Sequence, residues 1–330
     1  MGIIRFIFAL LVVLSHWGMI YGGYNFGVMA VIGFFIISGL VMTALLRQNY
    51  PRAQDIPAFY IDRLARLFPQ FLFYTSVAAV AFSRHWLSAP FWVADFTPWK
   101  IAINFLMLPN GFYMLGWEKS LLLPQSWTLG LELCFYLSLP WLLLYTLRIP
   151  AALLSLLIFG LAWSGSIATD AFGYRLLPGT LFIFLCGSWI YDIRQGRDSP
   201  SLKISLLMIW LVALILLHWT RTHPALAVPN NLSVLSGLAL TLPLIYRASL
   251  WKPFTLERRL GDLSYGIYLN HFIVIWFVQR FCMPQFTPAV ALWLVISVSC
   301  ALAWLTYTLI EHPVLRWRHR FRQAHGHSYH

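Results

Sequence analysis

Ten apolar stretches of 15–22 residues constrain this chain more than any other feature. They run Ile3–Ile20, Phe26–Leu46, Leu67–Phe82, Ser126–Leu147, Pro150–Ala168, Leu176–Ile193, Ile204–Trp219, Leu232–Tyr246, Leu263–Phe281 and Ala289–Ile310. Most approach the ~20 residues that a helix needs to cross a ~30 Å hydrocarbon core. Their apolar character is unbroken, which excludes a β-barrel, whose strands alternate over about ten residues. Charged residues make up 10% of the 330, against about 25% in a soluble domain. That balance excludes a disordered chain, a nucleic-acid-binding domain in solution and a small disulfide scaffold. The expected fold is an all-α polytopic membrane protein, a bundle of about ten transmembrane helices. Cys134, Cys186, Cys282 and Cys300 lack metal-type spacing and read as small buried hydrophobes. Met1–Gly18 has the look of a signal peptide but no small-x-small cleavage site, so it reads as a retained first span. Phe6 stands where a myristoylation signal needs Ser or Thr.

The net charge of +12 is an orienting bias. The basic residues sit in short clusters between apolar runs. Residues 101–116 are apolar but interrupted by Pro109-Asn110-Gly111. If that segment does not cross, 17 of the 23 basic residues fall on the cytoplasmic side: Arg5, Arg47, Arg52, Arg63, Arg66 and twelve from Arg148 onward. If it crosses, those twelve move outside. The positive-inside rule therefore predicts both termini in the cytoplasm, with 101–116 re-entrant or interfacial. Residues 1–315 form one transmembrane domain in this reading. Residues 316–330 form a short basic, His-rich cytoplasmic tail near anionic lipid; weak metal binding by His325, His327 and His330 is a distant second. Gly18 and Gly22 have a spacing that can pack helices.

Ionisable groups inside spans are costly and are functional candidates. His16 lies near the outer end of the first run and Arg5 near its inner end. Eleven residues turn through three full turns plus about 20°, so the two share a face, ~16 Å apart. A His bonded to a neighbouring helix with a snorkelling Arg accounts for them equally well. Glu132 is the only acid well inside a run, ~9 Å from the outer surface, at the depth of His16. There a carboxylate can orient an imidazole and balance its charge; a neutral Glu bridging helices is the alternative. Thr128, Glu132 and Tyr136 share its face. Arg63 and Arg66, at i and i+3, place two guanidinium forks where a phosphate would fit, although ordinary charge bias explains any such pair. Ser264, Tyr268 and His271 share a face of the ninth run, beside Asn270. They read as a hydrogen-bond network first and a substrate path second.

In this order these residues resemble the acyltransferase-3 family of integral membrane acyltransferases. The likeness covers nearly the whole chain. It rests on Arg5-x10-His16, on Gly33-Phe34-Phe35-Ile36-Ile37-Ser38-Gly39 and on Arg63-Leu64-Ala65-Arg66-Leu67-Phe68-Pro69. It rests too on Ser126-Trp127-Thr128-Leu129-Gly130-Leu131-Glu132 with Phe135-Tyr136, on Leu260-Gly261…Ser264-Tyr265…Tyr268-Leu269-x-His271, and on Glu311-His312-Pro313. The chain departs from the family where Ile4 precedes Arg5 in place of an acid, and where no Pro closely follows His271. The esterase-like outer domain fused to some members has no counterpart in this sequence.

The resemblance implies an acyl-CoA donor, usually acetyl-CoA, and O-acylation of envelope carbohydrates such as polysaccharide or lipopolysaccharide at the inner membrane. It implies no metal and no nucleic acid; an acyl-relay partner and the oligomeric state stay open. In that setting His16 is the expected general base with Glu132 behind it, an acyl-His16 intermediate being a variant. Arg5, Arg63 and Arg66 are the expected grip on donor phosphates. Ser38, Trp127, Thr128, Tyr136, Tyr268, Asn270 and His271 are candidates for lining the substrate path. Two other classes compete. A secondary transporter or flippase of an envelope precursor also needs intramembrane His, Glu and Arg, but no inverted repeat is visible. A polyprenyl-phosphate-sugar glycosyltransferase needs clustered outer acids, and Asp95, Glu118 and Asp170 are scattered.

Overall fold

The computed structural model describes residues 1–86, 97–116, 119–197, 200–226, 228, 230–251, 255–283 and 285–325. Asp95, Glu118, His327 and His330 lie outside them. Among the described residues the regular structure is helical, apart from one isolated β-bridge between Tyr21 and Tyr24. The helices are α1 (Gly2–His16), α2 (Phe26–Asn49), α3 (Ile56–Ser83), α4 (Pro98–Asn104), α5 (Ser126–Leu144) and α6 (Arg148–Trp163). They continue with α7 (Leu177–Arg194), α8 (Pro200–Thr222), α9 (Asn231–Ser249), α10 (Thr255–Phe281), α11 (Pro288–Thr306) and α12 (His312–His325). Each of the ten apolar runs coincides with one of these helices. Among the described residues, seven helical segments are long and apolar enough to cross a membrane: Phe26–Asn49, Ala53–Ser83, Ser126–Leu144, Ala171–Arg194, Pro200–Thr222, Asn231–Ser249 and Pro288–Arg322. α1 and α6 are apolar but shorter.

The helix ends differ from the apolar runs for local reasons. α1 stops at His16 rather than Ile20, because Gly18 turns the chain at φ +103°. Gly18 has open space around it and packs no helix. α3 begins at Ile56, eleven residues before the apolar run, because Asp62, Arg63 and Arg66 find partners. Residues 101–116 divide into the end of α4 and a 3₁₀ segment, Leu108–Leu115, with Met107 at φ +60° between them. Cys186 is buried, while Cys134, Cys282 and Cys300 are only partly so, and all four thiols are free.

Two compact units divide the chain. The first holds Met1, Gly18–Ile56 and Cys134–Phe254; the second holds Gly2–Trp17, Pro57–Leu133 and Thr255–His330. In the first unit α2 packs on α7 and α9. Its crossing with α7 is a backbone contact. A Cβ at Gly39 would lie 2.7 Å from the Phe184 carbonyl carbon, and one at Gly187 2.7 Å from the Leu40 nitrogen. Asn25 caps α2 by accepting from the Val28 N–H at 3.0 Å. Near the ends of α2 and α7, Asp192 is buried and pairs with Arg148 at 2.6 Å and Arg47 at 3.6 Å.

In the second unit α10 packs against both α1 and α11. Gly2 and Gly261 bring the starts of α1 and α10 together, and the Gly2 N–H donates to Glu257 Oε1 at 2.9 Å. The stretch before α5 is folded around Asn104. Its amide donates to the carbonyls of Lys100 (2.8 Å) and Ser120 (2.7 Å) and accepts from the Leu122 N–H (2.9 Å). The 3₁₀ segment then lies on α5 through two glycines: a Cβ on Gly130 would stand 2.7 Å from Gly111 Cα. That contact fixes the turn of α5 that carries Thr128 and Glu132. A π-helical turn, Tyr307–Glu311, joins α11 to α12.

Candidate active site

The second unit gathers polar groups at two levels. The first surrounds His16. This residue ends α1 and is exposed, while His271, in mid-α10, is fully buried. His16 Nδ1 lies 2.9 Å from His271 Nε2, and the two ring planes are within 8° of parallel. Phe272 packs on both, its centroid 4.4 Å from His16 and 4.8 Å from His271. His271 Nδ1 lies 2.8 Å from the Tyr268 carbonyl oxygen and 3.3 Å from that of Ile267. The Tyr268 hydroxyl meets Thr128 Oγ1 at 2.6 Å, tying α10 to the first turn of α5. Gln125 donates from Nε2 to the carbonyls of Tyr268 (3.1 Å) and Leu269 (2.7 Å). Glu132, one turn beyond Thr128, is half-buried, and its charge acts on the Tyr268 phenol. Trp127 is buried beside them in the sequence. Asn270 points to the other side of α10, donating to the Ser299 carbonyl (2.9 Å) and the Tyr74 hydroxyl (3.3 Å). It joins α10 to α3 and α11, so its geometry is that of a structural tie.

The second level is ionic. Asp62 is fully buried and receives three guanidiniums. Arg318 Nε donates to it at 3.0 Å, Arg322 Nε at 3.1 Å, and the neighbouring Arg63 pairs with the same carboxylate. Arg66 pairs with Glu311, placed by the π-helical turn, and lies 5.1 Å from the centroid of the Tyr265 ring. The charges of Arg66, Asp262, Arg5 and Arg318 all act on Glu311. Beside this pair is a narrow cleft lined by Arg66, Gln70, Glu311 and Arg318. Gln70 is 2% exposed, and neither atom of its amide has a hydrogen-bond partner among the described residues.

The spacing of Arg63 and Arg66 offers two guanidinium forks on one face; in the structure each also engages a buried carboxylate, Asp62 and Glu311 respectively. Three acids outside or at the ends of the apolar runs, Asp62, Asp192 and Glu311, are buried as well. Residues 316–325, read as the start of a tail, continue α12, and Arg318 is buried against Asp62. Gln70 and Gln125 carried no expectation. Their signal was available, since each adjoins a motif (Pro69 and Ser126) and an amide there is out of place in an apolar context. Ser38 and Tyr136 fall in the first unit, where their hydroxyls lie 3.5 Å apart. Among the described residues no three His, Cys, Asp or Glu side chains are grouped to hold a metal ion.

Described residues that are helical, with seven membrane-crossing candidates, buried ion pairs and a histidine pair at the end of α1, define an integral membrane protein with polar groups held inside its helical body. The chain belongs to the acyltransferase-3 family: the family model, described as an acyltransferase domain, matches residues 1–308. It is 32% identical over 199 residues to an uncharacterized protein of Aquifex aeolicus (strain VF5), covering 60% of this chain and 90% of that one. It is 29% identical to nodulation protein 10 of Rhizobium leguminosarum bv. viciae, over 86% of this chain and 81% of the relative. A putative peptidoglycan O-acetyltransferase of Bacillus subtilis (strain 168) is 27% identical over 88% of this chain. The O-acetyltransferase OatA of Staphylococcus aureus (strain NCTC 8325 / PS 47) is 25% identical over 87%. The matches span about half the length of these last two, 51% and 52%. No solved structure matches the chain.

Proposed function

We propose that this chain is a multi-pass inner-membrane O-acyltransferase that moves an acetyl group from cytoplasmic acetyl-CoA to a hydroxyl of an envelope carbohydrate. Ten helices cross, both termini are cytoplasmic, and residues 101–116 are re-entrant or interfacial. The observation that carries the reading is the His16–His271 pair in a member of an acyltransferase family, at the opposite end of α1 from Arg5. Two relatives whose names state O-acetyltransferase activity add to it, one of them naming peptidoglycan.

In this reading His16 takes the proton of the acceptor hydroxyl as its oxygen attacks the thioester carbonyl carbon. The C–S bond breaks, and the imidazolium returns the proton to the departing CoA thiolate. Glu132 balances charge near the reacting atoms. Donor phosphates sit against Arg5, Arg63 and Arg66, and the surplus positive charge around Asp62 adds Arg318 and Arg322 to the same attraction. The unmatched Gln70 amide, one helical turn from Arg66, suits an amide of the pantetheine arm. Of the remaining polar candidates, Trp127, Thr128, Tyr268 and His271 frame the substrate path within the second unit, and Asn270 braces it from the other side of α10.

The test is CoA release by purified protein in lipid nanodiscs, with acetyl-CoA and peptidoglycan fragments or lipopolysaccharide as acceptor. Thiol release should accompany acetylated sugar one for one, and His16→Ala should abolish both. Turnover by His16→Ala at the wild-type rate removes His16 from the mechanism, and sugar transport with CoA intact replaces the enzyme by a carrier.

A further inference from the structure

The hydrogen bonds of the histidine pair determine which nitrogen does the work. Carbonyl oxygens only accept, and two of them face His271 Nδ1, the nearer at 2.8 Å. Nδ1 therefore carries a hydrogen, and Nε2 of the neutral ring carries a lone pair. That Nε2 lies 2.9 Å from His16 Nδ1, so the hydrogen between the rings belongs to His16 Nδ1. With 8° between the ring planes, the N–H and the lone pair lie in nearly parallel planes. The order is fixed from the backbone outward: the Tyr268 carbonyl orients His271, and His271 orients His16. Gln125 donates to the same Tyr268 carbonyl, and the Tyr268 hydroxyl is tied to Thr128. The anchor of the relay is thus held by the first turn of α5 and the residue just before it.

We propose that His271 is a positioning residue for His16. Accepting through Nε2, it fixes His16 as the Nδ1–H tautomer and makes Nε2 of His16 the atom that takes up and returns the proton. This rests on the reaction proposed above and deepens it. The proton balance is simple. The acceptor hydroxyl loses its proton to His16 Nε2, which passes it to the CoA thiolate. His16 keeps its Nδ1 hydrogen throughout, and His271 gains and loses none. A catalytic imidazole needs a partner at its second nitrogen to hold tautomer and ring angle; a buried neutral imidazole fills that place here.

The test combines a spectroscopic and a kinetic arm. Solid-state NMR of protein labelled with ¹⁵N-histidine in lipid bilayers, with His16 assigned by signal loss in His16→Asn, should show Nδ1 protonated and Nε2 bare. His271→Leu should release His16 to the Nε2–H tautomer. His271→Gln, whose Oε1 can accept in place of Nε2, should keep the Nδ1–H form. In the CoA-release assay His271→Leu should lower kcat about 100-fold, the scale of one acid–base contribution, with acetyl-CoA affinity within about twofold of wild type. His271→Gln should recover at least a tenth of the wild-type rate. An Nε2–H tautomer in the wild type overturns the proposal, as does His271→Gln turning over no faster than His271→Leu. If the wild type releases no CoA, the transferase reading fails while the tautomer measurement still decides the relay.

Discussion

Asp62→Asn is the sharpest probe of how the second unit is held. The carboxylate is fully buried and shared by Arg63, Arg318 and Arg322, the last two at 3.0 and 3.1 Å through Nε. At an effective dielectric of about 20, each guanidinium at about 4 Å from the carboxylate contributes about 4 kcal/mol of attraction, while each guanidinium pair repels by about 2–3 kcal/mol. The acid therefore turns a mutually repelling trio into a net attraction. Replacing it by a neutral amide leaves the repulsion, which the chain relieves by letting Arg318 and Arg322 move to water. The cost is then what anchoring α12 contributes, about 3–5 kcal/mol for removing one partner of a buried pair. That corresponds to a fall in Tm of roughly 6–20 °C. Thermal unfolding in detergent measures the stability, and limited trypsin digestion measures release of α12, since cleavage after Arg318 and Arg322 should accelerate. Adding Arg318→Met and Arg322→Met to Asp62→Asn should restore at least half of the lost Tm. If Asp62→Asn melts within about 2 °C of wild type with unchanged trypsin kinetics, the charge reasoning is wrong.

Three further outcomes are expected. Arg63→Ala and Arg66→Ala should raise the KM for acetyl-CoA more than that for the sugar acceptor in steady-state CoA release; the reverse pattern would take the arginines out of donor binding. Gly130→Ala puts a Cβ 2.7 Å from Gly111 Cα, so thermal unfolding should report a loss of about 1–3 kcal/mol from overpacking, with turnover falling because Thr128 and Glu132 ride on that turn. Asn104→Ala removes bonds to Lys100, Ser120 and Leu122. Leaving such groups unmatched costs about 1–3 kcal/mol each, so hydrogen exchange at the Leu122 amide should quicken by on the order of 100-fold.

Helix positions were legible because apolar periodicity and length dominate in this chain. Each of the ten runs coincides with a helix. Helix ends were less legible, because hydropathy cannot see a polar residue that has found a partner. α3 starts eleven residues before its apolar run since Asp62 pairs with Arg63 and with Arg318 and Arg322 of α12, and Arg66 pairs with Glu311 of the π-helical turn. The same blindness hid the partner of Arg66, for Glu311 is 245 residues away in sequence. His16 and His271 were each visible as costly groups inside apolar runs. That they touch was not, since 255 residues separate them and only the packing of α1 on α10 brings them together. The 101–116 segment was readable as a break from Pro109-Asn110-Gly111. Its seating on Gly130 was not, because a glycine needed for close approach looks the same in sequence as one in any turn.

The π-helical turn at Tyr307–Glu311 has a practical consequence. The family model stops matching at residue 308, inside that turn and three residues before Glu311. A truncated form cut at this border would keep Arg66 without Glu311, and Asp62 with one guanidinium instead of three. The border of kinship and the border of the folded body are different places in this polypeptide, and an expression boundary drawn from the former would amputate the latter.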